Sequence, residues 1–365
     1  MISKLVVSPE ALLYPLTEEI SKNIPFTVGD ETLIRSLLRE GKFKPEEILH
    51  LNVSKAPFLK ACPCTPGHVS CHYHNLNVAS GCTLGCRYCI LQEYLQTPWL
   101  TLSVNWEGID KELKEGSARV PFLRVGTGEL TDSLIWEPLF PLAAKLIEKA
   151  KAAQGGFLLE LKTKTADFST LPKTASNPWT VVAVSLNPSR VKEEEPGSAT
   201  PKAKIAALKG AIAKGYTVAV HLDPLLLIPS WEEEYARLIE TLFLEVPASA
   251  ISWISLGSLR FPPALRPLIR RRHRGSMLLE AELIQGKDNK YRYPFRERVR
   301  LYKTIREKVL SLLKDPPLLY LCMESEEVWQ EVFQEAPEKE ELNERLFRSA
   351  SGSLERLHSL GPSSS

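Results

Sequence analysis

From about Asn75 to Arg260, short apolar runs alternate with segments of helical period, and no other feature of the sequence constrains the fold more. A chain that repeats strand and helix in this way sets its strands side by side in a parallel sheet, with the helices as crossovers. The runs His74–Ser80, Val120–Gly126, Phe157–Leu161, Thr180–Ser185, Tyr216–Leu222 and Ile251–Gly257 predict six strands. Helices are expected between them over Leu139–Ala152, Pro201–Lys214 and Trp231–Phe243. Most of the runs lack strict polar alternation, as strands covered on both faces do. The expectation is an α/β fold, a partial (βα)6 barrel of the TIM type over residues 61–262.

The flanks read differently. Residues 1–60 predict a small helical or irregular cap, because Leu33, Ile34, Leu37 and Leu38 fall at helical spacing before Gly41 while prolines interrupt the rest. Residues 263–336 predict a C-terminal extension: a basic, proline-punctuated stretch, a turn at Gly286–Asn289, a long helix Arg296–Leu313 and an edge strand Leu318–Met323. Residues 337–365 predict a charged, solvated helix and a disordered tail ending at Ser363–Ser365. Across 365 residues, 46 Lys+Arg face 44 Asp+Glu, so a polyanion must be held by a local patch and not by the field of the whole protein. The longest apolar region, Tyr216 to Pro229, is broken by His221 and Asp223 and is too short to span a bilayer. The opening stretch to Val7 soon meets Pro9 and Glu10, which does not read as a targeting segment, so a cytoplasmic protein without membrane association is expected.

Six of the seven cysteines lie between Cys62 and Cys89. An odd count crowded into one segment is a metal-site signature and a poor disulfide framework. Cys82, Cys86 and Cys89 form a CxxxCxxC directly after the first predicted strand. Thiolates at such short spacing suit an iron–sulfur cluster, and three of them leave one iron of a four-iron cube open to a substrate. The competing reading is a zinc knuckle completed by His68, His72 or His74.

With the aromatic Tyr88 before its last cysteine, this motif resembles the signature of the radical S-adenosylmethionine (SAM) superfamily. More closely, the run Asn77–Leu95 resembles the spore photoproduct lyase family, as do the blocks GTGELTDS (Gly126–Ser133), ELKTKT (Glu160–Thr165), VSLNP (Val184–Pro188), EEPGSA (Glu194–Ala199), HLDP (His221–Pro224) and ISWISLGSLRFPP (Ile251–Pro263). The resemblance spans about residues 60–325. It implies an enzyme whose [4Fe-4S] cluster, held by Cys82, Cys86 and Cys89, cleaves SAM to a 5′-deoxyadenosyl radical for hydrogen abstraction. A flavodoxin or ferredoxin would supply the electron, and a thymine lesion in damaged DNA would be the substrate.

The same resemblance, with the strand-end placement that barrel enzymes use for catalysis, nominates the cofactor-binding residues. These are Gly126, Gly128 and Glu129 for the amino group of SAM, Lys164 for its carboxylate with Lys162 in competition, Ser185 and Asn187 for carboxylate or ribose, and Asp223. Arg260 is a candidate for phosphate, and Arg266, Arg270 and Arg274 would form a nucleic-acid-binding row at i, i+4 and i+8 of one helix. Tyr88 is a catalytic candidate; Cys64 and Cys71, with Cys62 beside them, are candidates for returning hydrogen to a product radical or for holding an auxiliary metal. Cys322 reads as a buried hydrophobe. The chain departs from the family in the segment Glu129–Thr131, which reads Glu-Leu-Thr with Leu130 where the lyase carries its hydrogen-donor cysteine, and at Ile90, where it has a tyrosine; it also matches poorly around Lys287–Tyr293. Two alternatives therefore stand beside DNA repair: a radical SAM enzyme acting on a peptide, RNA or small molecule, and a non-enzymatic zinc-binding module.

Overall fold

Runs such as Val181–Val184 become strands buried on both faces, and in the computed structural model the strands build sheets of eight, five and three strands. The structure describes residues 2–22, 24–65, 67–152, 157–173 and 179–359. In chain order the first strands are β1 (Lys4–Val7), β2 (Phe26–Val28), β3 (Ile48–Asn52), β4 (Leu59–Ala61), β5 (Tyr73–Leu76), β6 (Ala79–Ser80), β7 (Leu100–Ser103) and β8 (Leu123–Gly126). They are followed by β9 (Phe157–Thr163), β10 (Thr180–Ser185), β11 (Thr217–Leu225), β12 (Ile251–Ser258), β13 (Arg260–Phe261), β14 (Ile284–Gln285), β15 (Tyr291–Arg292) and β16 (Leu318–Leu321).

The larger sheet has the order β16-β12-β11-β10-β9-β8-β5-β4 and curls into a half-barrel. Every pair in it is parallel except β4–β5. The expected partial barrel is therefore present, with one more parallel strand than the six predicted, because β16 joins the open edge of β12. The helices Leu142–Ala152, Pro201–Ala213 and Trp231–Glu245 stand where the sequence pattern places them. The second begins cleanly because Pro201 opens it and the Thr200 side chain accepts from Ala203 N at 3.2 Å.

Three expectations are corrected. The first predicted strand divides: the chain turns at Asn77, whose N–H bonds Phe58 O, so that β5 stays in the barrel while β6 pairs with β7 in the other sheet. Residues 1–60 are not a helical or irregular cap but supply β1, β2 and β3 of a second sheet, ordered β2-β1-β3-β7-β6. Its strands are only two to five residues long, too short to show a period, yet Leu5, Val6, Val7, Leu49 and Leu51 are fully buried in it. The predicted helix there is real, Glu31–Arg39, capped by Asp30 through Thr32 N at 2.9 Å. Third, the charged helix Lys339–Ser359 is not solvated all round: it buries Leu342, Leu346 and Ala350, and Asn343 donates to Phe122 O at 3.0 Å. The expected disordered tail, Ser363–Ser365, lies outside the described residues. Among the described residues no helix is long and apolar enough to cross a membrane.

Candidate active site at the rim of the half-barrel

A cavity of about 340 Å³ opens at the C-terminal ends of the barrel strands, the end where parallel barrels gather their chemistry. The loop after β6 forms one wall and presents Cys82, Cys86 and Cys89, with Tyr88 beside them. The opposite side is built from strand ends and from Lys290 of the β14–β15 turn.

The loop is held by the segment after β10. Arg87 N donates to Glu194 O at 2.9 Å, Gly197 N donates to Leu84 O at 2.9 Å, and Gln92 Nε2 donates to Cys86 O at 3.1 Å from within the loop. Glu195 is the hub. Its Oε1 accepts the Tyr88 hydroxyl, Lys164 Nζ at 3.0 Å and Asn187 Nδ2 at 2.8 Å, and Lys204 Nζ lies 3.8 Å from Oε2. Burial opposes its ionisation, but the Lys164 and Lys204 ammoniums outweigh burial and hold the carboxyl at about 2. One buried carboxylate thus ties the cysteine loop to β9 and to the segment after β10.

The three thiols face one cavity. Burial raises all of them, Cys86 to about 12, so each is a protonated thiol unless a cation sits beside it. Thiols side by side on a short loop suit an iron–sulfur cube, which takes one thiolate at each of three irons. Structural zinc instead needs four ligands converging on one ion. Among the described residues no group of three or more His, Cys, Asp or Glu, the loop thiols included, is arranged around a single metal position. Two of the histidines that a zinc site would recruit are engaged elsewhere, His68 with Arg292 at 3.2 Å and His74 with His72 O at 2.9 Å.

Of the residues nominated for the cofactor, Gly128, Glu129, Lys164, Ser185 and Asp223 line the cavity. Gly126 and Asn187 do not. A Cβ at Gly126 would lie 1.6 Å from Tyr73 Oη, so packing inside the barrel explains that glycine. The buried Asn187 amide is spent on Glu195 and on Tyr235, whose hydroxyl donates to Oδ1 at 2.8 Å. Lys164 also donates to Ser185 Oγ at 2.5 Å and lies over the Tyr88 ring. Burial acts to lower the Lys164 pKa, yet Glu195 holds it above the ordinary value.

The arginines are not arranged as expected. Arg260 pairs in bidentate fashion with Asp223, at 3.1 and 3.2 Å, so its fork is taken by a carboxylate. Burial works against the Asp223 charge, but Arg260 wins and keeps its pKa below the usual carboxylate range. The helix carrying the basic cluster runs only over Leu265–Arg272 and leaves Arg274 beyond its end, so the three-residue row is not formed. Gly275, with φ +81, already lies in the turn that follows. Arg266 is half-buried and stacks over Tyr291 at 4.7 Å, whereas Arg270 is exposed.

Cys64 and Cys71 do not reach the cavity. Their segment closes the seam between the two edges of the half-barrel: Val69 N donates to Glu324 O at 2.9 Å, just beyond β16. Cys71 Sγ accepts from the buried Arg124 Nη2 at 2.9 Å, and burial pushes Cys62 up to about 11. Cys322 is not merely a hydrophobe: Arg260 Nη2 lies 3.6 Å from its sulfur.

Besides Glu195, sequence reasoning passed over Asp132 and the Glu160–His221 pair. Asp132 is buried beside the loop, where it accepts Thr163 Oγ1 at 2.6 Å, Lys164 N at 2.7 Å and Leu134 N at 3.0 Å; burial nevertheless keeps its pKa raised. Glu160 meets His221 Nε2 at 2.5 Å inside the barrel; burial opposes its charge, and His221 holds it at about 2. All of these residues stand in the blocks that carry the family resemblance, but a charge is readable as a site only once its partners are known.

With this geometry in place, comparison with known proteins is direct. The family model described as spore photoproduct lyase matches residues 60–322. Spore photoproduct lyase complexed with dinucleoside spore photoproduct has 21% sequence identity to this chain, covering 88% of this chain and 99% of that one, with a TM-score of 0.76. A mutant of the lyase with bound AdoMet and dinucleoside spore photoproduct has 22% identity, covering 88% and 98%, with a TM-score of 0.73. A comparison with curated proteins finds no match. The matched residues take in the whole cysteine loop and the strands that line the cavity, and the chain belongs to the spore photoproduct lyase family, as a lyase-type enzyme of the radical SAM class.

Proposed function

We propose that this protein cleaves SAM reductively at a [4Fe-4S] cluster on Cys82, Cys86 and Cys89 and uses the 5′-deoxyadenosyl radical to abstract hydrogen from a thymine lesion in DNA. The observation that carries this reading is that those three thiols line one cavity with Glu129, Lys164 and Ser185, at the strand ends of a family barrel. When bound, the cluster supplies the single electron that splits SAM. The chain's own residues bind and orient. Glu129, which accepts Asn77 Nδ2 at 3.0 Å, offers a carboxylate to an ammonium. Ser185 offers a hydroxyl, and Gly128 allows close approach. Tyr88, through Glu195, keeps the loop at a set distance from β9 and excludes water from the thiol side.

A lesion would enter extruded from the duplex, which costs least where the base is damaged. Exposed Arg270 is the remaining nucleic-acid candidate of the basic helix. A flavodoxin or ferredoxin is the proposed electron donor, and the cytoplasm the proposed compartment, where thiols stay reduced. A second reading, a peptide, RNA or small-molecule substrate, is favoured by one observation: among the described residues the only cysteines lining the cavity are the three of the loop, so no further lining thiol is left to return hydrogen to a product.

The deciding experiment is anaerobic reconstitution with iron and sulfide, followed by SAM and dithionite, with and without an oligonucleotide carrying the thymine lesion. Formation of 5′-deoxyadenosine with reversal of the lesion is the expected result. Deoxyadenosine without reversal moves the substrate to the second reading. Neither product, with zinc in the loop, overturns both.

A further inference from the structure

We infer that Arg271, Arg272 and Arg274, beside the short helix Leu91–Tyr94, form the docking surface for an acidic protein that carries one electron to the cysteine loop. The inference rests on the proposed function, which requires such a donor. The three guanidiniums are exposed, with no hydrogen bond or ion pair among the described residues. They do not line the cavity, so a substrate bound there gives them no role.

The carboxylates nearby do not neutralise them. Glu194 is buried and accepts Ser276 Oγ at 2.7 Å and Met277 N at 2.9 Å. Glu193 pairs with Arg87 at 3.3 Å. Glu93 and Glu280 are exposed and form no ion pair with the cluster. Unbalanced like charges on one surface raise the local potential, and a partner of opposite charge is both steered to it and held by it.

Position decides which partner. His273, between Arg272 and Arg274, donates from Nε2 to Gln92 Oε1 at 3.1 Å. Gln92 Nε2 in turn donates to Cys86 O at 3.1 Å and to Arg87 O at 3.0 Å. Two side chains thus join the arginine surface to the backbone of a loop cysteine without passing through the cavity. The Ser276 and Met277 bonds to Glu194 fasten the same segment to the clasp, since Glu194 O also accepts Arg87 N.

The helix that carries Gln92 exposes Ile90 and Tyr94. Its four residues span about 6 Å, so a footprint of about 600 Å² per partner, the size of a transient redox encounter, reaches both from the arginines. Arginines beside exposed aromatic and aliphatic side chains have the composition of a protein interface. A phosphate backbone has no use for the apolar pair. At this surface the carrier loses one electron and the cluster gains it, and no bond forms or breaks there.

The test uses the reconstituted full chain as wild type, as the charge-reversed variant Arg271→Glu/Arg272→Glu/Arg274→Glu, and as the milder Arg272→Gln/Arg274→Gln. Binding of a flavodoxin and of a low-potential ferredoxin is measured by fluorescence anisotropy at low and raised ionic strength, and oligonucleotide binding in parallel. 5′-Deoxyadenosine is quantified with dithionite and with each reduced carrier. Charge reversal is expected to weaken carrier binding at low ionic strength by about tenfold or more and to flatten its salt dependence. Carrier-driven deoxyadenosine should fall in step, while dithionite-driven formation and oligonucleotide affinity stay within about twofold of wild type.

The milder variant should move in the same direction by less, which keeps the test decisive if the triple variant folds poorly. Carrier binding within about twofold of wild type in both variants overturns the inference, as does a wild type that binds neither carrier. Loss of oligonucleotide affinity with carrier binding retained assigns the arginines to nucleic acid and also overturns it. Dithionite-driven formation by the wild type reports on the proposed reaction alone, so its failure is distinct from failure of this surface.

Discussion

Cys62, Cys64 and Cys71 are neighbours in sequence of Cys82, Cys86 and Cys89, yet the fold sends the two groups to different places. The first group lies on the segment that closes the barrel seam, where Cys71 is bonded by the buried Arg124. The second lies on a loop clasped by residues 194–197 and opens onto the cavity. Cys86 is buried and the other five are half-buried, and burial raises Cys62 and Cys64 as it raises the loop thiols. What separates them is direction: only the loop thiols face a space that a ligand can enter. Cysteine density marks a segment for attention, and the backbone path decides which thiols can hold a metal.

The largest effect that would break this division is loss of the main site. Cys86→Ala should abolish iron retention and 5′-deoxyadenosine formation, whereas Cys71→Ala should retain both; iron analysis and product quantification check the pair. Retained cleavage in the first variant would undo the assignment.

Next in size is the clasp. Glu195→Leu leaves Lys164 and Lys204 without their buried counter-charge and should cost about 3–5 kcal/mol in denaturant unfolding. It should also speed alkylation of the loop thiols, but not of Cys71. Equal acceleration at both would show that the clasp does not act on the loop specifically.

Acid titration sharpens the same point. Glu195 and Glu160 are each held at about 2, below the ordinary carboxylate value. Their contribution is therefore full above the ordinary value and is lost as pH falls toward about 2. Stability of the wild type should fall over that window, and the fall should be shallower in Glu195→Gln. Parallel curves would mean that Glu195 does not carry the acid limb.

The smallest effects belong to the outlying residues. Arg270→Ala should weaken DNA binding uniformly and lower the salt slope by about one. Cys64→Ser, at a thiol whose hydrogen bond is a 4.0 Å contact to Val69 O, should change stability by less than about 0.5 kcal/mol and leave the iron content intact.

Much of the barrel is legible in the sequence because strands such as β10 and β12 are buried at every position and so are rich in apolar residues with only small serines or threonines between them. The cysteine loop is legible because its three cysteines are local, all within eight residues of chain. The second sheet is not, since β1 and β3 are short and complete their sheet only through β7, which lies beyond the cysteine loop. Nor is the placement of β16, whose four residues become barrel only by pairing with β12.

The site divides in the same way. Local spacing determined the thiol set, and periodicity determined that its companions stand at strand ends. Only the tertiary structure decided that Tyr88 meets Glu195, 107 residues away, and that Arg260 is spent on Asp223, 37 residues away. The physical reason is that a motif is a property of adjacent residues, whereas the state of a charge is set by whatever packs against it, and in a parallel barrel those groups arrive from distant strands.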